Sequence, residues 1–200
     1  SYNPEFVVNK EVGVELGFLR NRINLEATYY HQDNTDQIIA VQLSNTTGYT
    51  SATQNAASFV NSGLELDLRL TPLVTLGEFE IDFSANYTHS TNEVKSIVSG
   101  VNELGIGNFN YAIVGQPAFV FKLSDYVRDD QGRVIVDRTT GMPEQNPNLT
   151  QFGRTMPEHF LGLSLNASWK GFSFSAVADY RSGNQILADQ LGGFLDDNGI

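Results

Sequence analysis

Apolar and polar residues alternate along several stretches of this chain, most clearly in residues 61–72. Four leucines there are separated by charged residues, namely Leu64, Leu66, Leu68 and Leu70 by Glu65, Asp67 and Arg69. A β-strand sends successive side chains to opposite faces, so this stretch predicts a strand with one apolar and one charged face. A helix would mix both kinds of residue on each side.

The same alternation recurs in five other stretches, which cover residues 12–18, 23–30, 79–88, 161–169 and 172–181. Short reversals join neighbouring stretches, and their residues favour tight turns. They fall at Arg20-Asn21, at 71–78 and at Lys170-Gly171. The pattern predicts about six antiparallel strands in about three hairpins.

Long connections separate the remaining strands, from His31 to Ser62 and from His89 to Glu158. In the first, residues 38–41 are apolar and could extend a strand or form a local hairpin. In the second, Asp130-Gln131-Gly132 predicts a turn between two short extended segments. Both connections are far longer than the roughly 4 to 6 residues typical between elements, so we expect two extensive loops.

Long loops at one end of the strands and short turns at the other are typical of an outer-membrane β-barrel. Aromatic residues near both strand ends fit the girdles of such barrels: Tyr29, Tyr30, Tyr87 and Tyr180 at the long-loop end, and Phe18, Phe79, Trp169 and Phe172 at the short-turn end. Because such barrels have at least about eight strands, we expect a segment of a larger one. A soluble β-sandwich is the alternative, since its strands also alternate.

Composition narrows the function classes. The formal net charge is -11, from 23 acidic and 12 basic residues, which argues against a nucleic-acid partner. The chain has no cysteine, and therefore no disulfide, thiol nucleophile or thiolate metal site. Neither a Gly-x-Ser-x-Gly elbow nor a P-loop occurs, so the commonest hydrolase and nucleotide-binding signatures are missing. We expect no enzyme activity and no cofactor.

Several stretches in succession resemble the SusC/RagA family of TonB-dependent outer-membrane receptors. The most diagnostic is Asn55 followed by Asn61-Ser62-Gly63-Leu64-Glu65-Leu66. Others occur in the same order as in the family, namely Asn3-Pro4-Glu5-Phe6, Glu15-Leu16-Gly17, Arg128-Asp129-Asp130-Gln131-Gly132 and Tyr180-Arg181-Ser182-Gly183-Asn184. Residues 6–10 depart from the family's usual segment at that place. The resemblance covers essentially the whole chain.

This resemblance implies that residues 1–200 are the C-terminal part of a 22-stranded barrel, in which the plug domain and the TonB box lie outside these residues. It implies import of oligosaccharides or peptides across the outer membrane of a Gram-negative bacterium. The implied partners are outer-membrane lipid, a SusD-like lipoprotein and the TonB complex, which would act through the missing N-terminal part. The alternatives are a TonB-dependent haem or metal-siderophore receptor and, less favoured, a soluble sugar-binding sandwich.

The charged faces of the predicted strands give the candidate lumen-facing residues: Glu15, Glu26, Glu65, Asp67, Arg69, Glu80, Asp82, Asp179 and Arg181. Paired carboxylates can catalyse glycoside hydrolysis. Barrel interiors are polar because they hold water or a plug, however, and that explanation is favoured here. We expect these residues to pair across strands or to contact the plug.

The predicted loops contain further candidates. Five aromatic residues could stack on sugar rings or contact a partner, namely Tyr49, Phe109, Tyr111, Tyr126 and Phe152. His31, His89 and His159 are expected just beyond strand ends, where interface positions are favoured over a metal or haem site. Asp-rich turns at 129–132 and 196–199 suggest calcium, but the EF-hand spacing fails, and turn formation explains them.

Overall fold

The computed structural model describes residues 3–42, 51–98 and 101–188, which form two antiparallel sheets. The larger sheet has six strands in the order β1-β2-β3-β4-β9-β10. Their bounds are β1 Phe6–Phe18, β2 Ile23–Gln42, β3 Ser51–Leu76, β4 Phe79–Ile97, β9 His159–Trp169 and β10 Phe172–Ser182. The predicted all-β architecture is confirmed. In the described part of the chain, no helix is long and apolar enough to cross a bilayer.

A smaller four-stranded sheet fills much of the connection between β4 and β9. It consists of β5 Glu103–Gly107, β6 Asn110–Ile113, β7 Val120–Leu123 and β8 Thr150–Arg154. Periodicity did not predict it, because strands of four or five residues give too short a pattern to recognise. The predicted turn at 130–132 is confirmed, since Arg128 bridges Val134 across it.

The larger sheet has two chemically distinct faces. Directly paired residues of neighbouring strands point to the same side. One row across all six strands is mostly apolar and contains Val14, Ala27, Leu66, Tyr87, Leu161 and Tyr180. The adjacent row projects from the other side and contains Glu15, Glu26, Asp67, Asn86, Gly162 and Asp179. We call these sides the apolar face and the polar face.

No second sheet covers the apolar face within the described residues. Leu64 is exposed, and Leu66, Leu68 and Leu70 are only half-buried. The buried hydrophobic cluster lies elsewhere, where the first residues of β3 and the last residues of β4 contact the smaller sheet. It consists of Ala56, Val94, Ile97, Leu104, Ala112 and Ala118. A sandwich would bury the leucines between two sheets, so the geometry does not favour that alternative.

The strands are longer than the alternation predicts. The region from His31 to Ser62 was expected to be a loop, but β2 continues to Gln42 and β3 begins at Ser51, so residues 38–41 extend a strand. The interpretation as a loop was wrong because alternation reveals only those strands whose two faces differ in polarity. A strand with polar residues on both faces can still pair its backbone. The pairing shifts register near Asp36, whose φ is +56°.

The tight turns lie at one end of the larger sheet and the long connections at the other. The turn expected at 71–78 is shorter, since β3 resumes pairing at Val74 and ends at Leu76, with Gly77 at φ +64°. The reversal at Lys170-Gly171 is confirmed, with both residues at positive φ. Because the strands alternate in direction, the connections after β2 and after β4 leave from the same end. This is the asymmetry that the sequence predicts for a membrane barrel.

Candidate functional site

The polar face carries all nine charged residues that the sequence singles out. Cross-strand pairing puts Glu15, Glu26, Asp67 and Asp179 in one row and Glu65 and Arg181 in the next. Arg69 is two residues from Asp67 on β3, and Glu80 and Asp82 are an even number of residues from Asn86 on β4, so all three also lie on the polar face. The set holds seven carboxylates and two guanidinium groups, so the face is predominantly anionic.

Arg69 lies among acidic residues at the middle of the polar face. Its Nε lies 2.9 Å from Oδ1 of Asp67, and its Nη2 lies 3.6 Å from Oε1 of Glu26. Glu15 is paired with Glu26 on the neighbouring strand. All three ion-pair partners remain partly exposed, so water screens their charges and each pair contributes little to stability. A shallow hollow of about 320 Å³ lies beside the group, lined by Glu26, Thr28, Glu65, Leu66, Asp67, Asn86 and Thr88.

The Asn61-Ser62-Gly63 segment makes contacts on both faces of the sheet, since Asn61 and Gly63 lie in rows of the polar face and Ser62 in a row of the apolar face. Asn61 donates to Oε1 of Gln32 at 3.0 Å, and the Ser62 hydroxyl lies 3.1 Å from that of Thr91. Gly63 leaves room for the ring of Tyr30, since a Cβ there would lie 2.6 Å from the ring and 2.7 Å from the carbonyl oxygen of His89. The geometry thus requires a glycine at 63.

Tyr30 departs from the predicted aromatic girdle. It lies on the polar face, where its hydroxyl is 3.1 Å from the Ser90 hydroxyl. Tyr29, its neighbour along β2, lies on the apolar face with Leu64. Adjacent residues of a strand point to opposite sides, so only one of two consecutive tyrosines can belong to a girdle.

The side chain of Asn55 is hydrogen-bonded both to Asn3, at the start of the described chain, and to Asp36, at the register shift in β2. Its side-chain amide donates to the carbonyl oxygens of Asn3, at 2.9 Å, and Asp36, at 2.6 Å. Its Oδ1 accepts a hydrogen bond from the backbone N–H of Asn3 at 2.9 Å. An amide side chain offers both donors and an acceptor, so a carboxylate could not make all three bonds.

Two of the three histidines meet, against expectation. His89 and His159 are directly paired across β4 and β9, and their rings stack with centroids 4.7 Å apart. Neither lies beyond a strand end, since β4 runs on to Ile97 and β9 begins at His159. His31 lies within β2, with its Nε2 3.5 Å from Oδ1 of Asp33, and does not belong to the pair.

Glu158 and Tyr87 complete the surroundings of the histidine pair, and sequence reasoning missed both. The Tyr87 hydroxyl lies 2.8 Å from Nδ1 of His159, and Oε1 of Glu158 lies 3.9 Å from Nε2 of His89. Ligand atoms of His89, Glu158 and His159 all lie within 4.8 Å of one another. The signal in the sequence was weak, because only the β4–β9 register brings residues so far apart together.

The loop aromatics separate into different environments. Phe109 lies at the rim of an open cavity of about 440 Å³, which is lined by Asn108, Phe109, Asn110, Phe121, Thr155, Asn184, Gln185, Ile186 and Leu187. The Tyr111 ring packs under Nζ of Lys122, 5.2 Å from the ring centre. Tyr126 and Phe152 are exposed, and neither lines this cavity. Tyr49 lies outside the described residues.

Aspartates in the loop between β7 and β8 build turns. Both oxygens of Asp129 are occupied: Oδ1 accepts the backbone N–H groups of Gln131 and Arg133, and Oδ2 accepts Nε of Arg133 at 2.7 Å. These bonds hold the pKa of Asp129 below its usual value of 3.8. Turn formation therefore accounts for this aspartate, while residues 196–199 lie outside the described chain.

The same chemistry recurs at two other loop aspartates. The side chain of Arg128 and the backbone N–H of Tyr126 lower the pKa of Asp125. Three hydrogen bonds from Thr139 and Thr140 lower the pKa of Asp137. Each carboxylate thus stabilises its turn in the ionised form.

Comparison with known families gives a match over nearly the whole chain. The family described as "TonB dependent receptor-like, beta-barrel" matches residues 1–195. Among curated proteins, the chain is similar to the TonB-dependent receptor SusC of Bacteroides thetaiotaomicron, with 26% identity over 197 residues, covering 90% of this chain and 19% of SusC. The chain therefore spans about a fifth of the length of this relative.

Solved structures give the same result. The structure of the RagAB peptide transporter matches with a TM-score of 0.74 and 25% identity, covering 90% of this chain and 21% of the matched chain. The RagAB peptide importer in its "closed-closed" state matches with a TM-score of 0.71, at the same identity and coverage.

Proposed function

This chain belongs to the TonB dependent receptor-like β-barrel family and is a SusC/RagA-like member of it, and from this membership we propose that it forms part of the wall of an outer-membrane nutrient importer. In this proposal residues 1–200 contribute wall strands, lumen lining and long-connection segments. The plug domain and TonB box belong to the receptor outside these residues.

The proposal rests on the six-stranded sheet, in which rows of apolar residues alternate with rows of polar residues. Between the tight turns and the row of Leu64, one face is mostly apolar and the other mostly polar, and within the described residues no second sheet covers the apolar face there. A wall between lipid and an aqueous lumen requires such a sheet. The two edge strands, β1 and β10, each have one unpaired side within the described residues. Neighbouring strands of the same barrel would pair with both edges.

In this arrangement the apolar face contacts lipid in the outer membrane of a Gram-negative bacterium. Tyr29, Tyr87 and Tyr180 would lie near the outer interface, since they lie at the end of the alternating stretches that is nearer the long connections. Phe79, Trp169 and Phe172, which are paired in one row beside the tight turns, would lie at the periplasmic interface.

The polar face would line the lumen and contact the plug. Seven carboxylates and two arginines are a suitable surface for water and for the charged groups of a plug. The partly exposed Arg69 is the residue whose role in such contacts can be tested most directly. Energy for transport would come from the TonB complex through the plug.

The long connections would form the extracellular surface, where a SusD-like lipoprotein would cover the barrel. Exposed Tyr126 and Phe152 are suitable contacts for such a partner, because aromatic residues are enriched at protein interfaces. Phe109, which lines the 440 Å³ cavity, is instead a candidate contact for cargo.

The proposed cargo is an oligosaccharide or a peptide. The 440 Å³ cavity combines the aromatic rings of Phe109 and Phe121 with the side-chain amides of Asn108, Asn110, Asn184 and Gln185. Aromatic rings stack on sugar faces, while amides bind either hydroxyl groups or peptide groups. Among the similar structures, RagAB is described as a peptide transporter.

Growth on defined nutrients tests this function. A strain without the receptor should fail to grow on one glycan or on one peptide mixture as the limiting nutrient. The wild-type receptor should restore growth, and deletion of TonB should abolish it again. Phe109→Ala should slow growth at low nutrient concentration without changing receptor abundance, whereas Phe119→Ala, which removes an exposed aromatic ring outside the cavity, serves as the control. Unchanged growth on all glycans and peptides would contradict the proposal.

The position of the histidines does not favour a haem or siderophore receptor. His89 and His159 lie in the row of Tyr29 and Leu64 on the apolar face, opposite the proposed lumen. Cargo passing along the polar face would not meet them.

A further inference from the structure

Three side chains with metal-binding atoms converge where β4 and β9 begin to separate. His89 is the last residue of β4 that pairs with β9, and its partner His159 is the first residue of β9. Glu158 precedes it, and the ligand atoms of all three lie within 4.8 Å of one another. Two histidines and one carboxylate form a ligand set used by zinc proteins with an open fourth position.

The backbone on both sides of this cluster is held firmly. The N–H of Ser90 donates to the carbonyl oxygen of Glu158, and the N–H of Glu158 donates to that of Ser182, each at 2.9 Å. Gly183 leaves space for the Glu158 side chain, because a Cβ at 183 would lie 2.8 Å from the Cβ of Glu158. Side-chain rotation alone must therefore bring the ligand atoms from their present separation to the roughly 3.3–3.5 Å of a tetrahedral site.

His89 lacks the hydrogen bonds that a structural histidine normally makes. Its Nδ1 is buried and has no hydrogen-bond partner among the described residues. Its Nε2 is 3.9 Å from Oε1 of Glu158, which is too long for a hydrogen bond. Unsatisfied buried polar atoms are uncommon and call for an explanation, and a metal ion bound at Nδ1 would be one.

We propose that His89, Glu158 and His159 bind a divalent first-row transition metal ion, for which Zn²⁺ is the representative probe. The neutral imidazole nitrogens and the carboxylate suit Zn²⁺, Ni²⁺ and Cu²⁺ better than Ca²⁺ or Mg²⁺, which prefer all-oxygen sites. Water or a group from a partner would complete the coordination. The side chains of His89 and Glu158 are about one-third exposed, so the site lies near the surface of the sheet.

Two further residues orient these ligands. The Tyr87 hydroxyl, 2.8 Å from Nδ1 of His159, leaves Nε2 of that ring for the metal. Arg154 holds the other oxygen of Glu158, with Nη1 3.0 Å from Oε2, so that Oε1 remains directed toward His89. Such partners fix the orientation of metal ligands. The arginine charge also disfavours a cation, so we expect moderate affinity.

The bound metal would link the two ends of the long connection between β4 and β9. The chain parts from β9 after His89, although β4 stays paired with β3 as far as Ile97, and it returns beside β4 at Glu158, so one ion would join the two ends of residues 90–157. The site lies on the apolar face near its outer rim, not on the polar face, so the bound ion would have a structural role and would not be imported.

Metal titration of the intact receptor tests the site. Receptor purified in detergent and stripped with EDTA is titrated with Zn²⁺ against a chromophoric chelator. The wild type should bind one more equivalent than His89→Gln or His159→Gln, and Tyr87→Phe should bind that equivalent at least about tenfold more weakly. His31→Gln is the matched control and should equal the wild type. All variants are first checked for folded, heat-modifiable migration.

A second measurement does not depend on any variant. The stripped wild-type receptor, loaded with one equivalent of Cu²⁺, should give an electron paramagnetic resonance spectrum with coupling to two nitrogen nuclei. The proposal is overturned if that coupling is absent, if the histidine variants bind Zn²⁺ like the wild type, or if His31→Gln loses the same equivalent.

Discussion

Glu15 and Asp179 lie on opposite edge strands of the larger sheet, yet they occupy the same transverse row. Four paired positions connect them across the sheet, in the order Glu26, Asp67, Asn86 and Gly162. The register therefore stays coherent from one edge to the other, although two register shifts interrupt the β3–β4 pairing elsewhere. This coherence keeps every carboxylate of the candidate set on one face.

A charge on the apolar face should block assembly of the receptor. Leu68 lies in a row with Leu25 and Ala85, between the row of Tyr87 and the row of Phe79 beside the tight turns. Leu68→Arg should cost about 2–4 kcal/mol near the bilayer midplane. Heat-modifiable migration on gels measures assembly. Glu65→Arg, on the same strand but the opposite face, is the control and should assemble; normal assembly of Leu68→Arg would contradict the assignment of faces.

Charge reversal at Arg69 should affect transport more than folding. Arg69→Glu removes the ion pairs with Glu26 and Asp67 and adds a third carboxylate beside them. Because these groups are partly exposed, the loss of folding free energy should stay within about 1 kcal/mol. Receptor abundance and nutrient uptake are measured in parallel, with Arg69→Gln to separate loss of charge from reversal. A receptor that fails to assemble would place Arg69 on the wrong face.

The glycine at 63 should tolerate no side chain. A methyl group there would collide with the Tyr30 ring and with the carbonyl oxygen of His89, and the carbonyl belongs to a paired strand that cannot easily move. We expect Gly63→Ala to destabilise the receptor by about 1–3 kcal/mol. Thermal unfolding in detergent measures the change. Gly105→Ala is the control, since its Cβ would lie 3.5 Å from Tyr111, an ordinary contact; equal effects of both substitutions would count against the packing described.

Acid should loosen the turns between β7 and β8. The pKa values of Asp125, Asp129 and Asp137 are lower in the folded loop than their usual 3.8, so ionisation favours the folded turns. That stability is fully present above pH 3.8 and is lost as the pH falls below it through the lowered values. Pepsin digestion at pH values on either side of 3.8 should show cleavage in residues 125–146 only on the acid side. Equal cleavage at both would refute the coupling.

Alternation predicted the six-strand meander, the turn at Lys170-Gly171, a turn within 71–78, and the common face of the charged residues. It succeeded there because a sheet with an apolar side enforces a period of two. It failed beyond Tyr30 and Thr88, where residues 31–37 of β2 and 89–93 of β4 are polar on both sides. Strand segments outside a bilayer can pair their backbones without having one apolar face and one polar face.

The histidine cluster illustrates what one sequence cannot provide. His89 and His159 meet because β4 pairs with β9, and nothing between them fixes that register. Their convergence depends on pairing across a long excursion, which residue spacing along the chain does not report. The Asn61-Ser62-Gly63 segment, in contrast, was recognised from its residues, and the structure supplies its reason in the contacts of Gln32, Thr91 and Tyr30.

Spin-label accessibility along residues 64–70 tests the central claim most directly. Single cysteines are introduced one at a time into the intact receptor after replacement of any cysteine outside residues 1–200. Each variant is labelled in lipid vesicles and exposed to oxygen or to a water-soluble nickel complex. We predict strict alternation: labels at Leu64, Leu66, Leu68 and Leu70 should be accessible to oxygen, and labels at the positions between them to the nickel complex. Uniform accessibility, or leucine positions closed to both reagents, would contradict a wall between lipid and water.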